Sequence, residues 1–290
     1  MRAKESRLAL GTVQFGLVYG INNPRGKIPE DEAEEILRYA FSGGIDTLDT
    51  ARAYGASEAL LGRILRKTGH PFRVVSKVPS DWDGREDALA QSLDVLGLPS
   101  LYGYMFHNFE TYKRNPETFR RLENYKRSGR VKKIGFSLYY PEEAERILED
   151  DLRVDIVQIP YNLFDRRFER MAKLLKDSDV EIHVRSVFLQ GLFHKNPADL
   201  SGNLIGAREK LESLRDIARR ASLSISELSL GFVLGTSWTD KVVIGVDSLD
   251  NLKENIASET AAGKLPSLRN DLEALKVTDE NIILPFKWSV

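Results

Sequence analysis

The feature that most constrains this chain is a succession of eight short apolar, β-branched runs separated by stretches with helical spacing. The runs are "LALGT" (8–12), "IDTLD" (45–49), "FRVVSKV" (72–78), "LYGYMFH" (101–107), "VKKIGFS" (131–137), "VDIVQIP" (154–160), "VEIHVRSV" (180–187) and "KVVIGV" (241–246). Near-continuous apolarity suits strands covered on both faces, and such strands belong to parallel sheets. Between them, apolar residues recur at i, i+3, i+4 and i+7. Ala33, Ile36, Leu37 and Ala40 form one stripe, and Phe168, Met171, Ala172 and Leu175 another. Leu89, Leu93 and Leu96 make a third, and Leu249, Leu252 and Ile256 a fourth. Pro29, Pro116 and Pro141 sit where helices start, each followed by acids, and Gly129 in "SGR" sits where one stops.

Eight strands, each followed by helix, predict an α/β fold of the (β/α)8 TIM barrel type, a single barrel domain over residues 1–290. The rival, an open doubly wound sheet, needs a glycine-rich turn into a helix after its first strand. Here "GTVQFGLVYG" runs into "INNPRG" instead. Two segments exceed the repeat: the connection at 188–206, and a C-terminal extension from about residue 266 that either closes the barrel bottom or reaches its mouth. Long loops on a barrel tend to carry function.

In a barrel, chemistry collects where the strands end. Asp49 and Tyr54 follow the second run, Lys77 closes the third and His107 the fourth. Each has an ordinary structural role available to it, as a cap, a core aromatic, a rim lysine or a half-buried imidazole. Their joint position at strand ends, and none at strand starts, favours a shared task. Reduction of a carbonyl is one such task, because the alkoxide that forms needs a proton donor. A phenol with an ordinary pKa of about 10 is a weak acid at neutrality, so a neighbouring ammonium should tune it and a carboxylate should hold that ammonium.

Composition removes other classes. There is no cysteine, hence no disulfide, thiolate metal site or thiol nucleophile, and with four histidines a histidine-built metal site is not expected. The net charge of −1 offers no global field for nucleic acid or an anionic membrane. No run approaches the ~20 apolar residues of a membrane span, and the N-terminus lacks a signal-peptide core, so a cytoplasmic protein is expected.

The stretch "DTARAYGASEALLG" (49–62) resembles the pattern "DTAxxYGxSExxLG" of the aldo-keto reductase superfamily, and the resemblance extends over approximately residues 8 to 257. It implies a catalytic tetrad of Asp49, Tyr54, Lys77 (in "SKV") and His107 (in "MFHN"), acting with NADP(H) or NAD(H) on a small-molecule carbonyl or alcohol. "IGFSLYYPEE" is similar to the family's "GxSN" segment, placing Ser137 on the nicotinamide carboxamide, with Leu138 where asparagine is usual. "VQIPYNLFDR" makes Gln158 the second carboxamide partner. "VRSVFLQGLF" resembles "xYSPLAxGLL", which puts Phe188, Leu189 and Gly191 along the pyrophosphate. Val187 replaces the usual proline, and Arg185 replaces an aromatic that stacks on the nicotinamide. Arg185 could stack there or pair with an anionic substrate.

In "VVIGVDSLDNLKENI" the resemblance implies Gly245, Asp247, Ser248, Asn251 and Asn255 at the adenosine end. None is basic, so the grip on a 2′-phosphate looks weak; Asp247 or Ser248 could equally cap the helix. Phe15, Tyr19, Trp82 and Phe164 are candidate substrate walls, each also able to serve as packing. Two other readings stand beside a reductase. One is a nicotinamide-binding regulatory or partner-binding barrel with little turnover. The other is an aldolase-like barrel with Lys77 as the Schiff-base amine, which leaves the tyrosine motif and the Gln158 segment unexplained.

Overall fold

The computed structural model describes residues 5–289. Eight strands close a parallel barrel in sequence order: β1 (Leu8–Gly11), β2 (Thr47–Asp49), β3 (Arg73–Val78), β4 (Leu101–Phe106), β5 (Val131–Ser137), β6 (Ile156–Pro160), β7 (Glu181–Arg185) and β8 (Lys241–Gly245). β8 returns to β1, with Leu8 opposite Val242 and Gly11 opposite Gly245. The barrel expectation therefore holds. Several strands are shorter than the apolar runs that encode them. In β2 the ladder starts only at Thr47, and the preceding Asp46 carboxylate accepts hydrogen bonds from Lys241 (2.8 Å) and Thr47 (2.7 Å) at the strand's entry.

The helices that wrap the barrel include α1 (Glu30–Ser42), α2 (Ser57–Thr68), α3 (Ala88–Leu96), α4 (Thr118–Arg127), α5 (Pro141–Glu149) and α6 (Glu169–Asp177). α7 (Arg208–Ala221) and α8 (Ile225–Leu234) precede β8, and α9 (Leu249–Ser258) follows it. The stripes face inward as their spacing requires: Ala33, Ile36, Leu37 and Ala40 are all fully buried. Pro141 occupies the first turn of α5, whereas Pro29 is the N-cap of α1 and Pro116 lies just before α4. Gly129, at φ 73°, sits beyond the end of α4.

Inside the barrel the side chains are layered. Val75, Met105 and Ile156 form an apolar floor. Below it, at the strand starts, Glu181 accepts from the Tyr102 hydroxyl (2.6 Å) and from Lys133, and pairs with His183 (2.6 Å). Burial would raise the Glu181 pKa, but these partners hold it below the ordinary carboxylate range. Above the floor lie the polar strand ends.

The C-terminal extension reaches the mouth. The segment containing α10 (Arg269–Glu273) and α11 (Glu280–Ile283) contributes to a second apolar cluster, shared with Leu163 and Phe164 after β6 and with Leu189, Leu192 and Phe193 after β7. The Val277 amide donates to the Phe164 carbonyl, and Phe286 meets Tyr139 edge-on. Burying these apolar loop residues is what draws the extension to this end of the barrel. No helix among the described residues is long and apolar enough to cross a membrane.

Candidate active site

The turn from β2 into α2 is built to hold one phenol. Its backbone closes through Tyr54 N to Ala51 O and Ser57 N to Tyr54 O. Gly55 takes φ +57°, a left-handed conformation that glycine adopts without strain. The turn lies flush on the segment after β1: a Cβ on Gly16 would come 1.7 Å from the Tyr54 carbonyl oxygen. The Ser57 hydroxyl donates to the Thr12 carbonyl (2.9 Å) and is 2.8 Å from the Thr12 hydroxyl, fastening the turn to β1. Glu58, also buried, accepts from Ser76 (2.6 Å) and Ser92 (3.3 Å), and Gly62 lets α2 close on the Val95 carbonyl. Much of the "DTARAYGASEALLG" motif thus positions Tyr54 without reaching the cavity.

Asp49 ends β2 with both carboxylate oxygens engaged. Oδ1 accepts from Lys77 Nζ at 2.7 Å, and Oδ2 accepts from the Gln158 amide at 2.7 Å. Lys77 is 1 % exposed and gives a second hydrogen bond to the Thr50 carbonyl at 3.0 Å. Its ammonium stands 3.5 Å from the Tyr54 hydroxyl and 5.1 Å from the ring centre. His107, immediately after β4, meets the Tyr54 ring edge-on with centroids 5.7 Å apart. The four strand-end residues converge.

Their electrostatics differ from a simple tuned phenolate. Burial and the Asp49 charge raise the Tyr54 pKa well above the ordinary value, against the pull of Arg185. Tyr54 therefore rests as the neutral phenol, which is the form that donates a proton. Burial, reinforced by the Lys77 cation, lowers His107 to about 4, so its imidazole is neutral at physiological pH. Burial also lowers the Lys77 pKa, while Asp49 opposes that shift.

A cavity of about 490 Å³ opens above these groups, within the range usual for small-molecule and cofactor sites. Asp49, Tyr54, His107, Ser137, Gln158 and Arg185 all line it. Parallel pairing sets Ser137 beside Gln158. Phe188 and Gly191 also face it from the β7 loop, and Gly245, Asp247 and Asn251 from the β8 side. Tyr19 reaches the cavity from the loop after β1.

Other expected residues are placed elsewhere. Trp82 packs in the main core beside Phe106 and gives its indole N–H to the Glu86 carbonyl, and Phe164 is buried against Phe193. Phe15 is buried in the main core too. Large apolar rings at loop bases are taken up by the cores next to them. Leu189 belongs to the second apolar cluster for the same reason. Ser248 takes the cap of α9, accepting from the Asn251 amide at 3.2 Å, and leaves Asp247 to line the cavity. Asn255 is fully buried next to Glu254, which does line it, and both its amide atoms lack a partner among the described residues.

Sequence reading missed Gln14, Asn22, Asn23, Tyr139, Gln190 and His194, all of which line the cavity. The polar run "GINN" was an available signal for two of them. That loop bridges two others: the Ile21 amide donates to the Gln190 carbonyl (3.1 Å), and Arg25 donates to the Asp247 carbonyl (3.0 Å).

The model of the Aldo/keto reductase family matches residues 7–266. The chain is 26% identical over 256 residues to an uncharacterized oxidoreductase, YqkF, of Bacillus subtilis, covering 80% of this chain and 83% of that protein. It is 23% identical over 295 residues to the NADH-specific methylglyoxal reductase of Escherichia coli, covering 87% and 89%. An aldo-keto reductase from Bacillus halodurans, solved in its holo form, has a TM-score of 0.76 over 99% of this chain and 100% of that one. At 19% identity, that last likeness is one of fold.

Proposed function

The chain belongs to the aldo/keto reductase family and is an NAD(P)-dependent oxidoreductase, and on that premise we propose that it interconverts a small aldehyde, ketone or sugar carbonyl with its alcohol, with Tyr54 as general acid and base. The observation that carries this reading is the meeting of Tyr54, Asp49 and His107 at a single cavity, with Lys77 buried against Asp49 and the Tyr54 hydroxyl.

The residues suit a nicotinamide dinucleotide, which when bound supplies and accepts the hydride. Gln158 keeps the rest of its amide for a carboxamide, with Ser137 beside it. Buried polar atoms without partners among the described residues, Gln14 Oε1 and the Asn255 amide, suit a polar ligand group. The side lined by Asp247, Asn251 and Glu254 would take the adenosine. There the Arg25 guanidinium is already held by both oxygens of Glu32 at 2.8 Å. A 2′-phosphate would have to compete with Glu32 and face Asp247, so we expect NADH to be accepted along with NADPH.

In the reductive direction the substrate oxygen sits between Tyr54 and His107. The neutral imidazole orients it, and the Tyr54 phenol gives it a proton. Lys77, fixed by Asp49 and the Thr50 carbonyl, stabilises the phenolate left behind, at a distance where its effect is electrostatic. The same double anchoring disfavours Lys77 as a Schiff-base nucleophile, which needs a free amine.

A titration with each dinucleotide, followed by a panel of aldehydes, ketones and sugars, tests the reading. Oxidation of NADH or NADPH by at least one carbonyl is the expected result. Tight nucleotide binding with no turnover across the panel would favour the partner-binding barrel.

A further inference from the structure

Among the described residues, the charges around the catalytic groups cancel except at one. Lys77 is matched by Asp49 at 2.7 Å. His107 is neutral, and Tyr54 keeps its proton. Arg185, at the end of β7, remains. Among the described residues no carboxylate pairs with it. Its guanidinium donates to the Leu138 carbonyl (2.9 Å) and to the Ser186 hydroxyl (3.3 Å), and it lies 4.3 Å from the Tyr139 ring centre. A guanidinium carries five N–H donors, so three find no acceptor among the described residues.

The nearby acid on the neighbouring element does not answer this charge. Glu143, whose carboxyl feels Arg185, accepts from the Tyr139 and Tyr140 amides at 2.6 and 3.0 Å and is committed to the start of α5. A half-buried cation without a counter-ion is costly. The Tyr139 ring and the Leu138 carbonyl also hold the guanidinium in place, and a fixed planar fork favours a planar oxyanion over a neutral group.

We infer that Arg185 is a specificity residue that selects substrates carrying an oxyanion, a carboxylate or a phosphate, on the same small skeleton as the reacting carbonyl. The inference rests on the reductase reading given above and extends it to a substrate class: aldehyde or keto acids and phosphorylated aldehydes, with the corresponding hydroxy compounds in reverse. The anion neutralises Arg185 while the carbonyl oxygen reaches Tyr54.

Two substrate pairs test this and separate the two anions: para-carboxybenzaldehyde against its methyl ester, and glyceraldehyde phosphate against glyceraldehyde. Each is measured with the full-length protein, Arg185→Gln and Arg185→Lys. The expected result is a kcat/KM preference for the charged member of at least one pair by about tenfold or more, since a charge-assisted pair is the stronger contact. That ratio should fall towards unity in Arg185→Gln and be partly retained in Arg185→Lys. Binding of benzoate and of inorganic phosphate to the nucleotide complex, which needs no turnover, gives a second readout. At least one of the two should bind more weakly to Arg185→Gln.

Turnover of both members without preference would overturn the inference and leave the reductase reading intact. Equal loss on both members in Arg185→Gln, together with weakened NADH binding, would also overturn it and make Arg185 a nucleotide contact. Absence of turnover with Arg185-dependent anion binding would sink the reductase reading and keep the anion site. If anion binding is then indifferent to Arg185, both fall.

Discussion

The Lys77 ammonium stands 3.5 Å from the Tyr54 hydroxyl and 2.7 Å from Asp49, so the carboxylate holds the cation more closely than the phenol does. This order matters. Burial and the Asp49 charge keep Tyr54 a neutral phenol at rest, and in the proposed mechanism Lys77 comes into play when negative charge appears on the phenol oxygen.

Replacing Tyr54 by Phe removes the proposed proton donor and little else, because the turn is closed by backbone bonds. Steady-state reduction should fall by about 10³-fold, within the range for loss of a general acid. Nucleotide binding, followed by tryptophan fluorescence, should persist. A Phe variant with near-normal turnover would remove Tyr54 from the mechanism.

Lys77→Met should do two things at once. It removes phenolate stabilisation, depressing alcohol oxidation by orders of magnitude, and it leaves Asp49 buried without its cation. The second effect should cost about 3–5 kcal/mol of stability, read by chemical denaturation. Adding Asp49→Asn should recover much of that stability without recovering activity. Recovery of activity in the double variant would show that Lys77 served only the fold.

Gly16→Ala places a methyl where the Tyr54 carbonyl already lies, 1.7 Å from the ideal Cβ. The turn must shift, at roughly 1–3 kcal/mol. We expect kcat to drop while nucleotide affinity changes little, because the displaced element is the one that carries Tyr54. An unchanged kcat would show that the phenol tolerates the displacement.

His107 has a pKa of about 4 in the folded chain, below the 6.5 of a free imidazole. Between those values the unfolded chain takes up a proton that the folded chain refuses, so stability is lost at this residue as pH falls from 6.5 to 4. Denaturation midpoints of His107→Gln should therefore depend less on pH over that window than those of the parent. The kcat/KM profile should show no acid break at the free-imidazole value; such a break would mean that His107 titrates normally.

At the adenosine end, NADH and NADPH affinities should lie within about 100-fold, or ~2.7 kcal/mol. Asp247→Asn should move the balance towards NADPH, because Asp247 lines the cavity while Glu32 occupies Arg25. Calorimetry measures both. A stronger NADPH preference in the parent would show that Arg25 leaves Glu32 for the phosphate.

Local pattern was sufficient for much of this molecule. The strand runs, the buried stripe of α1 and the strand-end placement of Asp49, Tyr54, Lys77 and His107 follow from periodicity and from the rule that barrel chemistry sits at one rim. Trp82 and Phe164 were not legible in this way, because an aromatic ring in a loop packs equally well inward or outward until its neighbours are known. Only the tertiary structure decided which oxygen of Asp49 faces Lys77 and which faces Gln158, that Ser248 caps α9 while Asp247 lines the cavity, and that Arg185 meets no acid among the described residues. Period and strand-end position are properties of neighbours in the chain, whereas pairing and net local charge belong to groups that closure of the barrel brings together from distant segments.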